Sequence, residues 1–92
     1  KLDSIIFAYE PVWSIGTGII PKRLELSANI NNIKKILSKL KKSIKPKVLY
    51  GGSVNPKNVK ELAQIKEING FLVGGSSLSA KKFIDIIQKS IN

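Results

Sequence analysis

The chain has 92 residues, enough for one small domain or a piece of one, and its lack of cysteine excludes a disulfide scaffold. It contains no apolar run of about 18 residues and no signal-peptide pattern at its start, so a soluble, cytoplasmic protein is expected. The net charge of +10, from 16 basic and 6 acidic residues, reads as lysine-rich helix faces in water, such as Lys34, Lys35, Lys39, Lys41 and Lys42; with no aromatics interleaved for bases to stack on, nucleic acid and membrane are not expected as partners.

The first element is the apolar run Ile5 to Tyr9, read as a strand. It follows Lys1 almost at once, without an initiating methionine, and these residues are therefore expected to come from inside a longer protein. Beyond a glycine-containing loop, Ile30, Ile33, Ile36, Leu37, Leu40 and Ile44 keep one apolar stripe at helical spacing, closed by Pro46. Val48 to Tyr50 is the second strand. Asn55 and Pro56 then supply a cap and a first-turn proline for a helix through Val59, Leu62 and Ala63. Gly70 to Val73 is the third strand, and Ser79 caps a last helix whose buried face is predicted to be Phe83, Ile84, Ile87 and Ile91.

This order is β-α-β-α-β-α, an α/β pattern. The strands are apolar at consecutive positions, as expected of a parallel sheet covered on both faces. Periodicity leaves open a doubly wound sheet or part of a (β/α)₈ barrel, which needs about 250 residues. A parallel piece with three strands has two unpaired edges, so the chain is expected to depend on further protein.

Three segments carry chemistry. In AYEPVWSIGTG, Ala8 to Gly18, Glu10 stands at the carboxyl end of a strand, where barrel enzymes place catalytic groups. Pro11 disfavours helical backbone at Glu10 and holds it extended. Pro11, Val12 and Trp13 make a stiff anchor and Gly16, Thr17 and Gly18 a pliable tip, the composition of a hinged lid over a carboxylate base. In YGGSV, Tyr50 to Val54, glycines after a strand let backbone approach a ligand, and Ser53 leads into a helix start suited to anions. In GFLVGGSSL, Gly70 to Leu78, Gly74 and Gly75 can present successive amides to phosphate oxygens. Each segment alone also reads as an ordinary turn.

In this order and spacing, the three segments resemble the triosephosphate isomerase family over nearly the whole chain. The resemblance implies a partial (β/α)₈ barrel in which residues 1–92 are the C-terminal part of a single domain, the last three β/α units on a parallel sheet. It implies an aldose-ketose isomerase that interconverts dihydroxyacetone phosphate and D-glyceraldehyde 3-phosphate. Glu10 would take a carbon-bound proton and return it to the neighbouring carbon through an enediol(ate). Gly16, Ser53, Gly74 and Gly75 would hold the substrate phosphate. Ile15 and Leu72 match the apolar pair that closes over the glutamate, while Tyr50 and Ser53 match residues that latch the closed loop through its backbone. No cofactor and no metal are implied. The partner is a small triose phosphate, and the whole enzyme is implied to be a cytoplasmic homodimer.

Two departures accompany the resemblance. Pro21 stands where the family's tyrosine contacts a backbone N–H, which proline lacks. Lys22 and Arg23 replace the usual cap and proline of the following helix, so a shifted or frayed helix start is expected. The chain also has no histidine, and the family's histidine electrophile and N-terminal lysine would have to come from other sequence. The isolated chain is thus expected to be inactive. The competing reading is a phosphate-binding barrel fragment without turnover.

Overall fold

The computed structural model describes residues 4–11, 14, 16–17, 19–40 and 45–91. Among them, three short strands form one parallel sheet in the order β1 (Phe7–Tyr9), β2 (Val48–Tyr50), β3 (Gly70–Phe71). Phe7 pairs with Val48, Ala8 with Leu49 and Tyr9 with Tyr50, while Leu49 and Tyr50 pair with Gly70 and Phe71. The first and third strands are shorter than the apolar runs Ile5 to Tyr9 and Gly70 to Val73. Ile5 and Ile6 are exposed, and Leu72 donates one more backbone bond to the Tyr50 carbonyl before the chain turns away.

The helices are α1 (Arg23–Leu40), a four-residue α2 (Val59–Leu62) and α3 (Ala80–Ile91), with a 3₁₀ turn at Gly75–Leu78 ahead of α3. The start of α1 is not shifted: it begins at Arg23, and the Leu26 amide already reaches the Lys22 carbonyl at 2.9 Å. Arg23 substitutes tertiary anchorage for the missing cap, donating to the Gln64 side chain at 3.2 Å and to its carbonyl at 3.3 Å. The second helix is shorter than its sequence pattern. Asn55 caps the chain as an Asx turn, accepting the Lys57 and Asn58 amides at 2.8 and 3.0 Å, but Asn55 to Asn58 is turn and regular helix starts at Val59.

Alternation along β2 decides where the core lies. Val48 and Tyr50 face the helices and are fully buried with Leu26 and Ile30 of α1, Val59 and Leu62 of α2, and Ile86 of α3. Ala8 and Leu49 occupy the opposite face, Ala8 exposed and Leu49 half-buried. Among the described residues the sheet is therefore covered on one face, not two. The predicted stripe of α3 is corrected in the same way. Ile86 is its buried residue, whereas Phe83, Ile84, Ile87 and Ile91 remain 39%, 53%, 45% and 77% exposed. A helix packed on a three-stranded sheet edge lacks protein on its outer side, so an apolar stripe wider than one row stays uncovered.

Polar ties fix the long connections. Ser27 on α1 donates to the Glu67 carboxylate at 2.7 Å and Lys34 to the Glu67 carbonyl at 2.6 Å. The Ser27 hydroxyl, helped by the Glu67 backbone and nearby lysines, holds the Glu67 carboxyl below the usual carboxylate range. Asn69 clamps the start of β2 by accepting the Val48 amide through its side chain and donating its own amide to the Val48 carbonyl, both at 2.9 Å.

Candidate functional site

All three parallel strands point their carboxyl ends the same way, so the residues that follow them, Glu10, Gly51 to Ser53 and Leu72 to Gly75, share one edge of the sheet. Glu10 comes directly after β1, and the adjoining Gly51 amide donates to the Tyr9 carbonyl at 2.9 Å. The Glu10 side chain then lies across Gly51: a Cβ at that glycine would sit 2.7 Å from the Glu10 Cγ and 3.1 Å from its Oε1. Only a glycine leaves room for the carboxylate there. Glu10 itself is exposed.

Pro11 is buried, and its carbonyl accepts the Ser14 amide at 2.9 Å, closing a tight turn immediately after Glu10. Gly16 has φ of +70°, left-handed backbone that a side chain would strain. Thr17 closes the loop on itself: its hydroxyl donates to the Ser14 carbonyl at 2.9 Å and accepts the Ile19 amide at 3.1 Å. Val12, Trp13, Ile15 and Gly18, which the sequence assigns to the hinge and tip, lie outside the described residues.

The turn after β2 is built around buried hydroxyls. Tyr50 is fully buried, with its hydroxyl 3.0 Å from the Ser14 Oγ, and the Ser53 amide donates to the same Oγ at 3.1 Å. Burial raises the Tyr50 pKa above the ordinary value, with the Ser14 and Ser53 hydrogen bonds acting against it. Among the described residues the Tyr50 hydroxyl and the Ser53 amide meet the Ser14 side chain, and Pro21, which is buried, has no N–H to offer. The Asn58 side chain holds the Ser53 carbonyl at 3.1 Å.

Gly16, Ser53, Gly74 and Gly75 line a single cavity of about 340 Å³, together with Gly51, Gly52 and Lys82. Around Gly74 and Gly75 the space a Cβ would occupy is open, leaving bare backbone toward the cavity. Gly75 also opens the 3₁₀ turn, and amides at the start of such a turn have no acceptor within it. Ser77 braces this loop through two bonds to the Gly74 carbonyl, from its amide at 2.9 Å and its hydroxyl at 2.6 Å. Leu72 is exposed beside it. A glycine-walled recess with a cation at its rim suits a small anion with several oxygens, and the carboxylate of Glu10 stands against its Gly51 wall.

Sequence reasoning missed three residues. Ser14 reads as one small residue in a loop, and only the fold shows its hydroxyl buried between two segments. Gly51 reads as turn chemistry, although its role is to make room for Glu10. Lys82 looks like one more lysine on a helix face, and its position near the start of α3, just after the GGSSL turn, is the only signal that separates it from the others.

A family model described as Triosephosphate isomerase matches residues 1–90. Proteins named triosephosphate isomerase are similar at 44% identity over 91 residues in Dictyoglomus turgidum, 45% over 88 residues in Mycoplasmopsis agalactiae and 43% over 91 residues in Neurospora crassa. Each alignment covers 96% of this chain, and 36%, 32% and 36% of the respective relative. The chain therefore spans about a third of the length of these curated relatives.

Proposed function

The chain belongs to the triosephosphate isomerase family, and from that premise we propose that it forms the C-terminal three β/α units of a single-domain (β/α)₈ barrel that interconverts dihydroxyacetone phosphate and D-glyceraldehyde 3-phosphate. The observation that carries this reading is the placement of the Glu10 carboxylate against Gly51, a wall residue of the cavity that also contains Gly16, Ser53, Gly74 and Gly75. A phosphate held by those backbone amides leaves the three-carbon end of the substrate directed along the cavity wall toward Glu10.

Glu10 then takes the proton from the carbon next to the carbonyl. The electrons of that C–H bond form the carbon–carbon double bond of an enediolate as the carbonyl π pair moves onto its oxygen; a proton passes from the neighbouring hydroxyl to that oxygen, and the same carboxyl group returns its proton to the neighbouring carbon as the new carbonyl forms. One group serves in both directions because a carboxylate that has accepted a proton is the acid for the return step. The segment beginning at Pro11 acts as the lid that keeps water from the intermediate, with Gly16 and Thr17 at its tip and Leu72 on the opposing side. The group that polarises the carbonyl comes from sequence outside these 92 residues, which contain no histidine. The complete enzyme would act in the cytoplasm as a homodimer, which sedimentation of the purified protein would test.

The test is turnover by the complete protein that carries this chain, with and without Glu10→Gln. Glutamine keeps the shape and removes the base, so kcat should fall by roughly 10²–10⁴ while inorganic phosphate still binds. The isolated 92-residue chain should show negligible activity. Binding of a triose phosphate analogue by the complete protein without proton exchange into solvent would instead identify a non-catalytic phosphate-binding barrel.

A further inference from the structure

Ser14 takes no part in proton transfer, yet its side chain is fully buried where the segment after β1 meets the turn after β2. Its hydroxyl accepts the Ser53 amide at 3.1 Å, lies 3.0 Å from the Tyr50 hydroxyl and donates to the Ile19 carbonyl. A serine hydroxyl has one proton to give and two lone pairs to offer. The Ile19 carbonyl can only accept, so it takes the proton. The Ser53 amide can only donate, so it takes one lone pair. The remaining lone pair faces Tyr50, whose hydroxyl must be the donor. Every hydrogen-bonding capacity of Ser14 is then used, and the Tyr50 proton is committed to it.

The surrounding backbone is shaped to this pair. A Cβ on Gly52 would lie 2.2 Å from the Tyr50 hydroxyl oxygen and 2.8 Å from the Ser14 Oγ. Nor does the arrangement need an N–H at position 21, where proline stands. We propose that Ser14 is a positioning residue, a buried hub that sets the Ser53 backbone in the cavity wall and fastens the strand-proximal loop to it through Tyr50 and Ile19. The consequence for phosphate binding rests on reading the cavity as the substrate phosphate site, whereas the hub itself does not.

The test uses the complete protein as wild type, Ser14→Ala, Tyr50→Phe and the double variant. Hydrogen exchange at the Ser53 amide, inhibition by inorganic phosphate, and kcat and KM for glyceraldehyde 3-phosphate are measured on each. Loss of one buried hydrogen bond predicts Ser53 exchange about tenfold faster in Ser14→Ala. The same variant should raise the phosphate inhibition constant and KM by about three- to tenfold, with a smaller change in kcat. The double variant should be close to Ser14→Ala alone, since the tyrosine's bond is made to that serine. Unchanged Ser53 exchange in Ser14→Ala, or losses in the two single variants that simply multiply, would overturn the proposal. If Ser14→Ala does not fold, Ser14→Cys decides, since a thiol is a weak acceptor: about threefold faster Ser53 exchange supports the hub and no change refutes it. A complete protein inert toward triose phosphates, with exchange and coupling as expected, would leave the hub standing and remove the isomerase reading.

Discussion

Replacing Gly51 by alanine separates catalysis from stability. The new Cβ would lie 2.7 Å from the Glu10 Cγ, 3.1 Å from Oε1 and 3.3 Å from Cδ. Carbon atoms rest at about 3.5–4.0 Å, so the Glu10 side chain must retreat by roughly 1 Å. Because Glu10 is exposed, its side chain can rotate away, and the folding cost should stay below about 1 kcal/mol. Proton transfer is less forgiving, since a misplacement of about 1 Å can cost on the order of 10²-fold. We therefore expect kcat in the complete protein to fall about 10- to 100-fold while the melting temperature moves by no more than about 4 °C. Gly52→Ala gives the opposite pattern. Its Cβ would be driven into the buried Tyr50 ring at 2.2–2.5 Å, where neither partner can turn out into solvent. Overpacking of that kind costs about 1–3 kcal/mol, equivalent to a fall of roughly 2–10 °C in a protein of about 250 residues. Initial-rate kinetics and calorimetry on the two variants check both expectations. A Gly51→Ala enzyme within twofold of wild-type kcat would refute the claim that this glycine positions the carboxylate.

Lys82→Gln removes the cation that lines the cavity with Gly74 and Gly75. For an exposed charge we expect KM to rise about two- to fivefold at low salt and the difference to vanish near 1 M salt, as salt-dependent kinetics would read. Tyr50 supplies a pH test. Its folded-state pKa is raised, so its contribution to stability is complete below the unfolded value near 10 and is lost as pH rises from there through the folded value. Alkaline unfolding followed by circular dichroism should show this loss in the wild type and a flatter profile in Tyr50→Phe. Asn55→Ala removes the acceptor of two backbone amides ahead of α2 and should destabilise the complete protein by about 1 kcal/mol in denaturant melts.

What the sequence made legible followed from local chemistry. The parallel sheet was readable because apolar runs alternate with helical patterns and are apolar at consecutive positions, whereas the grouping of Gly16, Ser53, Gly74 and Gly75 was implied by the family resemblance. Element lengths were less legible. Ile5, Ile6, Leu72 and Val73 have strand-like side chains, but pairing ends where the neighbouring strand ends, a fact of register that no single run contains. The start of α1 was misread for a related reason. A cap residue is visible in sequence, whereas the Arg23 bonds to Gln64 that replace it cross 41 positions. Ser14 was invisible on the same ground, since its partners Tyr50 and Ser53 are 36 and 39 positions away.

The misplaced stripe on α3 has a different origin and bears on the whole assembly. Phe83, Ile84, Ile87 and Ile91 have the spacing of a buried face, and the sequence pattern is unambiguous. Their exposure arises because the sheet beneath α3 stops at β3, whose outer edge has no further strand among the described residues. A fourth strand beside β3 and a helix beyond it would cover both the unpaired edge and this stripe. Covering a large aliphatic or aromatic side chain completely stabilises by about 1.5–3 kcal/mol, so even partial coverage of four such residues is comparable with the net stability of a small domain. The apolar stripe of α3 is therefore wider than the described residues cover. The sheet edge that carries Glu10 and the glycine-lined cavity shares this exposure, since among the described residues the strands behind it are covered on one face only.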